Sequence, residues 1–314
     1  MSSLAISLRA LTRAFGDDLA VDALTFDVAP GELFGLVGPD GAGKTTTLRM
    51  LAGVLRPTSG EAWVAGVDAA ADPEGVKPHI AYMSQRFGLY EDLTVRENLD
   101  FYADLYRVPV VERAPRLDRL YGFSRLGEFE DRLAGQLSGG MKQKLSLSCA
   151  LIHQPEVLLL DEPTFGVDPI SRRELWLILH EMVAAGVTIL VSTSYLDEAE
   201  RCDRVALLDH GRTLTLDRPE RLQRSLEGTM LAVRTTRPRE ARDFLRGLTD
   251  VRSAALFGQT VHALVPEGVE AARIERALSD GGIDVVGVAP VEPSLEDVFI
   301  HLVGREPPRP GAGA

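Results

Sequence analysis

The feature that most constrains this chain is the octet Gly38-Pro39-Asp40-Gly41-Ala42-Gly43-Lys44-Thr45, followed by Thr46. It fits G-x-x-x-x-G-K-[ST], and it lies between an apolar run at residues 33–37 and a stretch over 44–55 with Leu48, Leu51, Ala52 and Leu55 at helical spacing. Strand, glycine loop and helix in that order form the setting in which such a loop grips phosphate. Glycines let successive backbone N–H groups converge on phosphate oxygens, and the start of the helix adds its positive end. Lys44, one of only four lysines with Lys77, Lys142 and Lys144, is expected to reach the β- and γ-phosphates of a bound nucleotide. The Thr45 hydroxyl is expected to ligate Mg²⁺.

A second switch from strand to helix follows residues 157–160, an apolar run that ends in Asp161 and Glu162. Brought to the same sheet edge, Asp161 would hold the magnesium shell and Glu162 would orient and deprotonate an attacking water. A third apolar strand is expected at 188–192 and a helix at 171–184. Apolar strands alternating with helices predict an α/β fold with a parallel sheet covered on both faces. Short strands are expected before it, at 4–8 and 19–23. A mostly helical stretch at about 88–150 contains Thr94 and Glu97 at capping-box spacing.

From residue 228 the pattern restarts as strand 230–233, helix 239–248, strands 251–256 and 261–265, helix 269–278 and strand 283–288. That βαββαβ order predicts a small ferredoxin-like α+β domain, closed by a helix at 294–302. The expected division is therefore 1–225, 228–304 and a Pro/Gly-rich disordered tail at 305–314.

The 34 Lys plus Arg against 46 Asp plus Glu give a net charge of −12, which opposes a diffuse polyanion-binding surface and makes nucleic acid an improbable partner. The longest apolar runs fall far short of the ~20 residues that span a bilayer, and residues 1–10 do not read as a secretion signal. Membrane contact is expected only through partners. Cys149 and Cys202 have no CxxC or histidine company and are expected to be buried and reduced. His79, His153, His180, His210, His262 and His301 lack ligand spacing, and Trp176 and Leu179 are expected in the core.

With these residues in view, the chain resembles the ATP-binding cassette (ABC) ATPases. Leu137-Ser138-Gly139-Gly140-Met141 resembles their signature motif, Gln85 the Q-loop glutamine, Phe15 the aromatic that stacks on adenine, and Val167-Asp168-Pro169 the D-loop. The resemblance spans about residues 4–225. It implies a P-loop NTPase fold, ATP and Mg²⁺ as cofactors, and a place for Gln85 beside the metal and the attacking water. As N-cap of a helix through residue 151, Ser138 would offer a hydroxyl, freed N–H groups and a dipole end to an anion. In an ABC dimer that anion is the γ-phosphate on the other subunit's P-loop. Residues 293–299, 89–94 and 141–145 resemble ATPase subunits of ABC-2-type exporters, including multidrug systems. Residues 167–175 resemble the first half of the YbhF-type tandem subunits. Cytoplasmic placement on the inner membrane face follows from that resemblance, as do an ABC-2 permease partner and coupling through Gln85 and residues 87–90.

One position departs from the family. Ser194 stands where a switch histidine usually touches the γ-phosphate. Losing a charge-assisted contact of ~1.5–3 kcal/mol would slow turnover roughly 10- to 100-fold, which favours an asymmetric pair whose weaker site is built on this chain's P-loop. A competent homodimer remains open, as do a non-transport ABC protein and a regulatory module that clamps ATP with little turnover.

Overall fold

The computed structural model describes residues 4–85 and 88–304; Phe87 and the 305–314 tail lie outside them. The chain divides into two compact units, 1–215 and 216–314.

The first unit opens with two long antiparallel strands, β1 (Ile6–Phe15) and β2 (Asp18–Val28), where only short strands at 4–8 and 19–23 are expected. The reason is a pair of irregularities. Ala10 (φ 47°) and Ala23 (φ 51°) are left-handed, so the period-2 pattern breaks while the strands continue. Threonines hold the freed amides, with Ala10 N–H donating to Thr25 Oγ1 and Ala23 N–H to Thr12 Oγ1.

β3 (Leu33–Val37) then leads into α1 (Lys44–Leu51). That helix stops short of residue 55 because Gly53 turns left-handed (φ 68°), where a Cβ would lie 2.9 Å from Pro73. Strands β4 (Ser59–Val64) and β5 (Val67–Asp68) complete a four-stranded sheet ordered β2-β1-β4-β5. The sequence reading does not separate this antiparallel sheet from the parallel one.

After a short turn α2 (Pro73–Val76) and β6 (Ile80–Met83), the chain enters its helical part: α3 (Val95–Leu105), α4 (Val110–Ser124) and α5 (Gly139–Leu151). Thr94 and Glu97 form both halves of the expected capping box. The three helices share a core including Val95, Leu99, Leu117, Leu120, Leu145 and Cys149.

The chain returns through β7 (Val157–Asp161), α6 (Pro169–Ala184), β8 (Thr188–Thr193), α7 (Leu196–Ala199), β9 (Arg204–Asp209) and β10 (Arg212–Asp217). The main sheet is ordered β10-β9-β3-β8-β7-β6, with β9, β3, β8, β7 and β6 mutually parallel. Every residue of β3, β7 and β8 is buried, which is why their central stretches, 33–37, 157–160 and 189–191, read as apolar runs. Trp176 and Leu179 are in the core, and both cysteines are free and buried.

The second unit begins with α8 (Pro219–Arg224), which packs on the closing helix α11 (Leu295–Val303) and so groups with residues after 215. Between them run β11 (Thr229–Thr235), α9 (Pro238–Arg246), β12 (Ser253–Phe257), β13 (Thr260–Val265), α10 (Ala271–Asp280) and β14 (Val285–Pro290). The sheet order β12-β13-β11-β14, with every pair antiparallel, is the ferredoxin-like arrangement.

Candidate functional site

Strand register assembles the site. Val37 pairs with Thr193 across β3 and β8, and Asp161 pairs with Ser192 across β7 and β8. The three strands therefore end together, and the segments that leave them carry the loop at 38–43, Glu162 and Ser194 to one edge.

Lys44, 4% exposed, is held by four oxygens. Its Nζ donates to the carbonyls of Gly38 (2.7 Å) and Pro39 (3.0 Å) and to Ser194 Oγ (3.0 Å), and pairs with Glu162 Oε1 at 3.2 Å. Ser194 Oγ in turn donates to Glu162 Oε1 at 2.7 Å, a better acceptor than Asp40 Oδ1 at 3.5 Å for its single proton. Thr45 Oγ1 and Ser192 Oγ both donate to Asp161 Oδ1 at 2.9 Å, and Tyr82 OH approaches Oδ2 at 3.4 Å. Burial, then the Asp161 charge, push the Tyr82 phenol up, so it stays a neutral donor.

Glu162 is left-handed (φ 48°), strained for a residue with a side chain. Its N–H donates to the Ser192 carbonyl (3.2 Å) and Oγ (3.0 Å), which fix that turn. The glycines of the loop are required mainly by the protein's own backbone. A Cβ on Gly38 would lie 2.3 Å from the Leu208 carbonyl, and Gly43 (φ 92°) would meet the Ala20 carbonyl at 2.5 Å. Gly41 (φ 81°) faces open space. Ala42 is buried behind the loop, whereas Pro39 and Asp40 are exposed. Thr46 is half-buried in the first turn of α1. The hydroxyl of Thr45 and the carboxylate of Asp161, 2.9 Å apart, are hard oxygen donors of the kind Mg²⁺ takes.

A family model described as "ABC transporter" matches residues 21–165. A second, described as "ATP-binding protein DrrA1-3-like, C-terminal domain", matches 218–303. Over 310 residues the chain is 44% identical to the probable multidrug ABC transporter ATP-binding protein YbhF of Escherichia coli (strain K12), covering 97% of this chain and 53% of that one. Over 311 residues it is 36% identical to the daunorubicin resistance ATP-binding protein DrrA2 of Streptomyces coeruleorubidus, covering 97% of each. The chain belongs to the ATP-binding proteins of ABC transporters. It spans about half the length of the YbhF relative. A solved ATP-binding subunit of an ABC transporter matches with a TM-score of 0.64 and 32% identity, over 71% of this chain and 92% of that one.

The remaining positions singled out by resemblance to ABC proteins fall in two places. Gln85 reaches the acids beside the loop, whereas the contact recorded for Phe15 is with Arg13. Gln85 is exposed after β6, its Nε2 3.5 Å from Glu162 Oε2. Phe15 ends β1, 48% exposed, with the Arg13 guanidinium 4.5 Å from its ring centroid. Ser138 caps α5, accepting from Met141 N–H at 3.3 Å. Among the described residues no hydrogen bond or ion pair joins 138–140 to 38–46. Gly139 is exposed, whereas a Cβ on Gly140 would lie 2.2 Å from Ser171 Oγ. Asp168 caps α6, accepting from Ile170 and Ser171 N–H, and the Ser171 bond leads in holding its carboxyl below the ordinary range.

Ser192, Tyr82 and Arg13 escape the sequence reading. A polar residue closing an apolar strand, as Ser192 does, is the one signal that could have pointed to it. Among the described residues no group of His, Cys, Asp and Glu could hold a further metal ion, and no helix is long and apolar enough to cross a membrane.

Proposed function

We propose that this chain is the ATP-hydrolysing subunit of an ABC-2-type exporter, working on the cytoplasmic face through a permease partner and in a pair with a second ATPase domain. The observation that carries the reading is the meeting of Lys44, Thr45, Asp161 and Glu162 at one edge of a parallel sheet. The names of the YbhF and DrrA2 relatives support export of multidrug or small-molecule type.

The loop amides and Lys44 bind the triphosphate. Thr45 and Asp161, with Gln85, would hold a Mg²⁺, which would supply positive charge to offset that of the phosphates. Phosphate oxygens arriving at Lys44 compete with Glu162 for the ammonium, and the carboxylate is released to accept a proton from water. Phe15 stacks on the adenine. Asp168 and residues 138–140 serve the ATP held by the second ATPase domain, a role supported by the lack, among the described residues, of any hydrogen bond or ion pair from 138–140 to this chain's own loop. Gln85 and residues 88–90, with Phe87, are the coupling candidates toward the permease.

Ser194 makes this chain's own site the weaker of the pair. Its hydroxyl reaches both Lys44 and Glu162 but brings no positive charge. Single-turnover hydrolysis by the chain, with and without a second ATPase domain, tests the proposal. Little turnover alone and acceleration with the partner are expected, and rapid turnover by the chain alone contradicts the weakened site.

A further inference from the structure

Behind the switch position lies a buried acid that the chemistry above does not use. Glu198, in α7, is 1% exposed. Its Oε2 accepts from Thr193 Oγ1 at 3.0 Å and from Thr164 Oγ1 at 2.8 Å, and its Oε1 lies 3.2 Å from Arg172 Nε. Thr193 immediately precedes Ser194, and Thr164 follows Glu162 by two positions. One carboxylate therefore grips both segments that present the Ser194–Glu162 pair.

The Arg172 guanidinium pairs with Glu198 by charge, without a hydrogen bond between Nε and Oε1. It also lies 4.4 Å from the ring centroid of Tyr195, the residue after Ser194, and its backbone N–H makes the first-turn helix bond to the Asp168 carbonyl at 2.9 Å. Its neighbour Ser171 packs against Gly140. A buried carboxylate is costly unless paired and hydrogen-bonded. Here every partner sits on a segment that borders the site.

We propose that Glu198 is a positioning residue that sets the Ser194–Glu162 contact by tying the segments after β7 and β8 to the first turn of α6. The inference rests on the reading of Lys44, Glu162 and Ser194 as an ATP site. Glu198→Gln keeps the size and one acceptor but removes the charge that holds Arg172. Mg-ATP affinity should stay within about twofold, because Glu198 touches no part of the loop, while maximal single-turnover hydrolysis by the full chain paired with a second ATPase domain falls about tenfold at an unchanged half-saturating Mg-ATP concentration. In a Ser194→Ala background the same substitution should cost nothing further.

An unchanged rate for Glu198→Gln, or losses that multiply in the double variant as a merely structural defect would give, overturns the proposal. Arg172→Met, read in the same way, serves if Glu198→Gln does not fold. A wild-type chain that binds no Mg-ATP overturns the site reading itself. A wild-type chain that binds and hydrolyses, beside an indistinguishable Glu198→Gln, overturns only the role of Glu198.

Discussion

At the residue scale, the decisive groups are few and their removal separates binding from chemistry. With Glu162 in its proposed role as base, Glu162→Gln should lower hydrolysis by roughly 10²- to 10⁴-fold while equilibrium Mg-ATP binding persists; equal loss of both would remove Glu162 from that role. Ser194→His restores a charge-assisted contact and should raise turnover at this chain's own site roughly 10-fold or more. No gain in single-turnover rate, with binding intact, would contradict the weakened-site account. The loop, the two acids and Ser194 are legible in the sequence because each sits in a contiguous motif or at a strand end. Ser192, Tyr82 and Glu198 are not legible, because their contacts depend on which strands lie side by side. Ser192 meets Asp161 only through the β7–β8 register.

At the scale of elements, the apolar strands and their caps are plain in the sequence, whereas β1 and β2 are not, since left-handed Ala10 and Ala23 interrupt their period. The helical part hangs on Asn98, which is fully buried. Its Oδ1 accepts from Tyr90 N–H, and its Nδ2 donates to the carbonyls of Tyr90, Leu93 and Thr94. Asn98→Ala strands those groups and should cost about 2–4 kcal/mol, read as a lower denaturation midpoint at unchanged slope. The same part carries a pH dependence. Burial chiefly, with the Arg116 charge, pushes the His153 imidazole down as it stacks on Tyr106 at 3.9 Å and faces the Ile80 carbonyl. The unfolded chain therefore takes up its proton first. This contribution is complete above the ordinary histidine value of about 6.5 and falls as pH drops below it toward the folded value. His153→Gln should flatten that part of the stability profile, and an unchanged slope would contradict it.

At the scale of the whole molecule, the ferredoxin-like order of the second unit follows from its βαββαβ sequence. The limit of the first unit does not, because α8 is a short amphipathic segment whose allegiance is set by packing on α11. The central claim is that the Lys44 loop holds a triphosphate which a second ATPase domain must cover before hydrolysis. Its most direct test is the hydrolysis rate per bound ATP as the concentration of a second ATPase domain is raised. The rate should climb from near zero to a plateau while the amount of ATP bound by Lys44-containing chain barely changes. A rate per bound ATP that is already maximal with the chain dilute and alone would contradict the account.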